Sequence, residues 1–177
     1  GGSFIRFTNN VVINCMRGIL FSFSGSTGQI PTTDSVISHN VIMNHFAITD
    51  NSGGLSKQQE AIWDIGYSAS VQNARNRIEH NTVYAHGGAD ATTGAAFLEY
   101  TKNGSVSHNS FMEPYRCAIV LTAGVDNYII DHNTIVDPHG GGTGATPAQT
   151  GDTQYGILFR DSDLDNITVS NNTFLVR

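Results

Sequence analysis

The sequence predicts an all-β solenoid of about six coils, whose stacked strands form three parallel sheets. Three observations predict this fold. A short phrase recurs six times, a second and more apolar phrase recurs between its copies, and only 14% of the 177 residues are charged. Gly and β-branched residues interrupt every candidate helical stripe, which favours strands over helices. We expect one domain over residues 1–177, as a fragment of or repeat segment within a longer protein.

The recurring phrase is an apolar residue, two polar residues ending in His or Asn, then Asn, one further residue and another apolar residue. The Asn residues of the six copies are Asn10, Asn40, Asn81, Asn109, Asn133 and Asn172. They lie 30, 41, 28, 24 and 39 residues apart, so the phrase is fixed while the connections vary in length. Asn tolerates the left-handed conformation of a sharp bend, and its amide can bond to the amide of the next coil. We therefore expect an Asn ladder at one turn.

The second phrase is a small residue followed by three mostly apolar residues, and it predicts a short buried strand in each coil. Its copies are 18–21, 61–64, 96–99, 118–121 and 156–159. One alternate row holds Ile19, Ile62, Phe97, Ile119 and Ile157, and the other holds Leu20, Trp63, Leu98, Val120 and Leu158. The sequence leaves open which row points inward. Parallel strands that are apolar on both faces are normally covered on both, so we expect a loop, a partner subunit, a missing domain or a ligand over this sheet.

Four histidines, His39, His80, His108 and His132, each precede a ladder Asn. They form either a metal or proton-relay column or a stacked row of imidazoles about one strand spacing apart. Zinc needs ligands about 2 Å from one centre, and three equivalent atoms in successive coils do not converge on such a centre without distortion. The stacked row is therefore the expectation, and no metal site is assigned.

The apolar-x-x-Asn-x-apolar turn phrase resembles the repeats of the right-handed parallel β-helix in the pectate-lyase-like superfamily, over essentially the whole chain. The resemblance implies that fold. Because most known members act on or bind polysaccharide, it also implies an extracellular or cell- or virion-surface protein with a polysaccharide partner, of lyase, hydrolase or uronate epimerase type. The superfamily also contains viral tailspikes and adhesins. The alternative function is therefore a non-enzymatic structural β-helix of a fibre, tailspike or adhesin.

The candidate catalytic residues lie on the short strand. Asp64 and Glu99 align in one column of adjacent coils, so their carboxylates could share a proton or a cation such as Ca2+. If they face solvent, they are the acid and base of glycoside cleavage, with Trp63 and Tyr100 as sugar-stacking surfaces. If they face inward, they are a buried pair that must be protonated or hydrogen-bonded.

Three further residues are candidates for contact with an acidic sugar. Arg160 follows the short strand in the last complete coil and is placed with the catalytic group, while Arg116 precedes the strand in the fourth coil. Either guanidinium could meet a uronate carboxylate. His139 belongs to a tripeptide, Asp-Pro-His, that resembles the core of mannuronan epimerases, although the preceding Tyr-Gly and the following acid are missing here.

Charge and composition limit the remaining partners. The net charge of −6, with only nine Lys and Arg, argues against a nucleic-acid backbone as partner. The sequence shows no membrane span. It requires no cofactor. A homo-oligomer or an end-to-end assembly through uncapped coils is an expected arrangement, because open solenoid ends expose unpaired strand edges.

Overall fold

The computed structural model describes residues 2–15, 17–21, 30–43, 60–84, 94–114, 117–138 and 155–176. Within these ranges the chain forms three sheets of short parallel strands, wound as in a right-handed parallel β-helix. The predicted fold class is confirmed. The described residues contain no helix long and apolar enough to cross a membrane.

Nineteen strands of the described residues make up the three sheets. They are β1 (Arg6–Thr8), β2 (Val11–Ile13), β3 (Ile19–Phe21), β4 (Val36–Ser38), β5 (Val41–Met43), β6 (Ile62–Ile65), β7 (Asn73–Ala74), β8 (Arg77–Glu79), β9 (Thr82–Tyr84), β10 (Gly94–Glu99), β11 (Thr101–Lys102), β12 (Ser105–Ser107), β13 (Ser110–Met112), β14 (Cys117–Leu121), β15 (Asp126–Asp131), β16 (Thr134–Val136), β17 (Tyr155–Phe159), β18 (Asp165–Ser170) and β19 (Thr173–Leu175). Sheet A contains β1, β4, β8, β12, β15 and β18 with the short strands β7 and β11. Sheet B contains β2, β5, β9, β13, β16 and β19, and sheet C contains β3, β6, β10, β14 and β17.

One row from each sheet fills the interior. The inward row of sheet A is Phe7, Ile37, Ile78, Val106, Ile130 and Val169, that of sheet B is Val12, Ile42, Val83, Phe111, Ile135 and Phe174, and that of sheet C is Ile19, Ile62, Ala96, Ile119 and Ile157. In the central coils these side chains have essentially no exposed surface. This burial of apolar surface stabilises the fold, because each coil covers the core of its neighbours.

Strand β10 stacks one residue away from the alignment that the sequence predicts. Ala96 pairs with Ile62, so Phe97 lies in the outward row of sheet C and Leu98 lies inward. The prediction of Phe97 in the first row and Leu98 in the second is therefore wrong. The cause is the run of small residues 94–96. The sequence pattern aligned Ala96 with Ala61, as the small residue that precedes the strand. In the structure Ala95 occupies that position, and its carbonyl accepts a hydrogen bond from the N–H of Ala61.

The turn between sheets A and B carries the predicted Asn ladder. Each ladder Nδ2 donates to the Oδ1 of the next ladder residue, at 2.9–3.0 Å, from Asn10 to Asn172. The same Oδ1 atoms also accept the backbone N–H of the preceding ladder residue. The ladder is confirmed, but one reason given for it is wrong. The left-handed conformation belongs to the residue before each ladder Asn, with φ between 52° and 59°, at Asn9, His39, His80, His108, His132 and Asn171.

The four histidines of this left-handed position stack on one another. Successive ring centroids lie 5.0, 5.0 and 4.8 Å apart from His39 to His132. All four side chains lie on the surface. The predicted stacked row of imidazoles is confirmed, with the spacing that neighbouring strands impose.

Candidate functional site

The outward row of sheet C is apolar and partly covered. It consists of Leu20, Trp63, Phe97, Val120 and Leu158. Val120 has no exposed surface and Phe97 is 8% exposed, whereas Leu20 in the first coil is 43% exposed. The centre of this row is therefore covered, as expected for a parallel sheet that is apolar on both faces.

Trp63 lies in this row between an aromatic ring and a cation. Its ring centroid is 5.8 Å from that of Phe97. The guanidinium carbon of Arg17 lies 4.2 Å from the centroid of the Trp63 ring, within the range of a cation–π interaction. One face of the predicted sugar-stacking surface is thus occupied by Arg17, which brings a positive charge to the outer face of sheet C.

A charged cluster follows the same sheet. The residues directly after the paired positions of β10, β14 and β17 are Glu99, Thr122 and Arg160, so these three succeed one another from coil to coil. The hydroxyl of Thr122 forms a hydrogen bond with the carboxylate of Asp161. The charges of Arg160 and Asp161, two coils further along the sheet, act on the carboxyl group of Glu99. We call Glu99, Thr122, Arg160 and Asp161 the acidic corner.

The surroundings of Glu99 favour its protonated form. Partial burial raises the pKa of this carboxyl group, the positive charge of Arg160 lowers it, and the negative charge of Asp161 raises it further, with a net upward shift. Glu99 is only partly buried, so solvent can still reach it. A carboxyl group with a raised pKa and a second carboxyl group are the pair that general acid catalysis of glycoside cleavage uses.

Asp64 does not belong to this corner. It pairs with Leu98, whereas Glu99 pairs with Ile65. The prediction that Asp64 and Glu99 share a column is therefore wrong, because β10 is shifted by one residue. The two side chains alternate to opposite faces of sheet C, so Asp64 points into the core, where it has no exposed surface.

The buried Asp64 carboxylate accepts three hydrogen bonds. Its Oδ1 accepts from the Nδ2 of Asn73 at 2.8 Å and the Nδ2 of Asn76 at 3.0 Å. Its Oδ2 accepts from the Thr101 hydroxyl at 2.9 Å. Burial raises the pKa of Asp64, and these hydrogen bonds oppose the shift without cancelling it. This is the buried, hydrogen-bonded alternative that the sequence left open, and it makes Asp64 a structural anchor between successive coils.

Tyr128 reaches the same buried cluster from a later coil. It is fully buried, and its pKa lies well above the usual range, first because of burial and then because of the charge of Asp64. Its hydroxyl makes no hydrogen bond of good geometry in the described part of the chain. The ring lies over Gly104, where a Cβ atom would be 2.7 Å from Cε2 of Tyr128. Gly104 is therefore needed for Tyr128 to approach Asp64.

The other predicted sugar-binding residues are only partly placed. Tyr100 lies in the turn after β10 with a φ of 47°, and its ring packs against Gly124 while it stays partly exposed. Arg116 and His139 lie outside the described residues. Arg17 and Asp161 were not predicted from the sequence, because neither belongs to a recognisable motif. The only signal was their position, Arg17 directly before the second phrase and Asp161 directly after Arg160.

No protein-family model matches the chain, and neither a curated protein nor a solved structure matches it. Within the described ranges, no group of three or more His, Cys, Asp or Glu side chains is arranged to hold a metal ion. The features of the chain that bear on function are therefore its parallel β-helix fold and the geometry of sheet C.

Proposed function

We propose that this protein binds or processes a polysaccharide on the outer face of sheet C, as an extracellular or cell- or virion-surface β-helix of the pectate-lyase-like superfamily. The observation that carries the proposal is the acidic corner, in which Glu99 has a raised pKa beside Arg160 and Asp161. Paired carboxyl groups are what glycoside cleavage uses, and a guanidinium suits the carboxylate of a uronate sugar.

The proposal gives each side chain a separate task. Glu99 donates a proton to the leaving oxygen, because its pKa is raised. Asp161 is the second carboxylate and is held by the Thr122 hydroxyl. Arg160 binds an acidic group of the sugar, and Arg17 stacked on Trp63 provides a second positive charge. Because Asp64 has no exposed surface, the second carboxylate is assigned to Asp161.

The activity belongs to the lyase, hydrolase or uronate epimerase classes, all of which need a proton to be moved at a sugar carbon or oxygen. Tyr100, Arg116 and His139 remain candidates for additional sugar contacts. No cofactor is needed for a hydrolase of this kind, since two carboxyl groups supply both proton transfers.

The alternative function, a structural β-helix of a fibre, tailspike or adhesin, has an observation in its favour. The last residue of each strand of sheet B points outward, and in every strand it is apolar or aromatic. These residues are Ile13, Met43, Tyr84, Met112, Val136 and Leu175. Apart from Val136, which is buried, these side chains are exposed or partly exposed, so the row, parallel to the solenoid axis, suits contact with another subunit. Because sheet B is a different face of the solenoid from sheet C, a subunit interface there would leave the outer face of sheet C accessible.

The test is a panel of uronate and neutral glycans, with product masses measured after incubation. We expect binding or turnover of at least one glycan, and a loss of turnover of about 100-fold or more in Glu99→Gln, since general acid catalysis contributes this much. Glu79→Gln is the matched control, because Glu79 is a carboxylate on sheet A paired with Arg77. Both variants should keep the melting temperature of the wild type.

Two results would contradict the proposal. If the wild type neither binds nor alters any glycan of the panel, the polysaccharide function is wrong and the structural alternative is favoured. If the wild type acts on a glycan and Glu99→Gln retains full activity, the assignment of Glu99 as proton donor is wrong.

A further inference from the structure

The four stacked histidines lie at the turn between sheets A and B, away from the outer face of sheet C. Each neighbouring pair presents exposed imidazole nitrogens, which are common metal ligands. Among them, His108 and His132 are the most regular pair, with ring planes 1° apart and centroids separated by 4.8 Å. Both residues lie on the surface of the turn between sheets A and B. The side chain of His132 is 50% exposed, so its ring has room to turn about its Cβ–Cγ bond.

A carboxylate lies behind one ring of this pair. The Nδ1 of His132 is 3.0 Å from the Oδ2 of Asp131. A histidine that ligates a metal usually donates its other N–H to such a carboxylate, which fixes the tautomer and raises the basicity of the ligating nitrogen. The contact with Asp131 therefore leaves the Nε2 of His132 as the free ligand atom. The pair His39 and His80 differs in this respect, because the carboxylate next to His80, Glu79, is paired with Arg77.

We propose that His108 and His132 form a two-histidine site for a divalent transition-metal ion, with Asp131 as the positioning residue. Water would complete the coordination of an ion held by these two imidazoles, as it fills the open position of catalytic zinc sites. Equivalent atoms of stacked rings start about one strand spacing apart, and the in-plane lone pairs of parallel rings do not converge. Both rings must therefore turn about their Cβ–Cγ bonds to bring their nitrogens about 2.0–2.1 Å from one ion. A third ring of the column lies too far along the axis to join them.

Imidazole ligands favour Cu2+, Ni2+ and Zn2+ over the hard ions Ca2+ and Mg2+. Among these three, Cu2+ should bind most tightly, in keeping with the general order of affinities for nitrogen ligands. The negative charge of Asp131, beside the site, also favours a cation. Binding should weaken at acidic pH, because imidazole ligates only in its neutral form.

The test is the affinity of the whole chain for Cu2+, measured by isothermal titration calorimetry, with electron paramagnetic resonance to count the ligating nitrogens. The variant is His108→Asn with His132→Asn, and the matched control is His39→Asn with His80→Asn. Asn suits these left-handed positions, since Asn9 and Asn171 occupy them in the first and last copies of the phrase. We expect the variant to bind Cu2+ at least about 10-fold more weakly than the wild type, and the control to bind within about 2-fold of it.

Asp131→Asn is the second variant, and it keeps both rings. We expect it to weaken Cu2+ binding about 10-fold, as the loss of a carboxylate behind a metal-bound histidine generally does. A second control is the triple variant in which the other three histidines of the chain, at positions 45, 86 and 139, are replaced by Asn. This variant should bind Cu2+ as tightly as the wild type does. The inference is overturned if the wild type takes up no Cu2+ at micromolar concentration, or if the control or the triple variant loses as much affinity as His108→Asn with His132→Asn.

Discussion

Replacement of Asn109 by Ala should destabilise the protein more than the same change at either end of the ladder. The Oδ1 of Asn109 accepts hydrogen bonds from the backbone N–H and the Nδ2 of Asn81, at 2.9 and 3.0 Å. Its Nδ2 donates to the Oδ1 of Asn133 and to the carbonyls of Ile78 and Ser107, at 2.9–3.0 Å. The substitution removes all five and leaves the buried N–H of Asn81 without an acceptor.

The expected magnitude follows from these groups. A buried N–H left unpaired costs about 1–3 kcal/mol, and the other lost hydrogen bonds add a smaller amount. The free energy of unfolding should therefore fall by about 3 kcal/mol. For a chain of this length, that corresponds to a fall in melting temperature of about 6–12 °C.

The ladder has a direction, so its two ends should respond differently. In Asn10→Ala the backbone N–H of residue 10 still donates to the Oδ1 of Asn40, so no buried donor is left unpaired and the cost should stay below about 1 kcal/mol. Asn172→Ala removes the acceptor of the Asn133 N–H, but that hydrogen bond is only partly buried and water can replace it. The loss of unfolding free energy should therefore be smallest for Asn10→Ala, larger for Asn172→Ala and largest for Asn109→Ala.

Urea unfolding followed by circular dichroism measures these three variants against the wild type. The amide exchange rate of the Asn81 N–H gives a local check, because this N–H should exchange faster in Asn109→Ala. Equal midpoints for Asn10→Ala and Asn109→Ala would refute the stacked ladder as a source of stability.

Two further predictions concern the buried cluster. Asp64→Leu should lower the free energy of unfolding by about 2–6 kcal/mol, because it removes the acceptor of the amide groups of Asn73 and Asn76 and each buried donor left unpaired costs about 1–3 kcal/mol. Since the pKa of Asp64 is raised in the folded state, its contribution is complete below the pKa of the unfolded chain and falls as pH rises through the folded pKa. The difference between wild type and variant in urea unfolding should thus be larger at pH 4 than at pH 8, and a difference that grows with pH would contradict this sign. Gly104→Ala should cost about 1–3 kcal/mol in a thermal melt, because the added Cβ would lie 2.6 Å from the carbonyl oxygen of Asn76 and 2.7 Å from the ring of Tyr128. If Gly104→Ala is also introduced into Tyr128→Leu, part of that cost should disappear, and an undiminished cost would show that the backbone contact alone is responsible.

The sequence alone predicted the parts of this fold that depend on one repeating phrase. Each copy of the phrase contains the same turn, so the ladder from Asn10 to Asn172 and the stacked row of histidines follow from the spacing of neighbouring strands. The parallel sheets follow for the same reason, since a repeat of this kind buries its apolar residues only by stacking on the next.

The candidate site could be predicted only in part. The sequence placed Glu99 and Arg160 near one end of the short strand, and the structure has them in one row of sheet C, with Thr122 in the coil between them. It did not predict that Asp161 joins them or that Arg17 covers Trp63. Neither residue belongs to a repeated phrase, so no pattern in the chain connects it with the site.

Only the tertiary structure decided which row of sheet C points inward, and with it the burial of Asp64 in β6, and the register of β10, and with it the position of Glu99. Three small residues in a row, Gly94 to Ala96, offer several alignments that a single sequence cannot distinguish. Pairing with the neighbouring strands selects the one that puts Ala96 beside Ile62. Because side chains alternate along a strand, that shift of one residue places Leu98 beside Asp64 in the core and leaves Glu99 partly exposed on the outer face of sheet C.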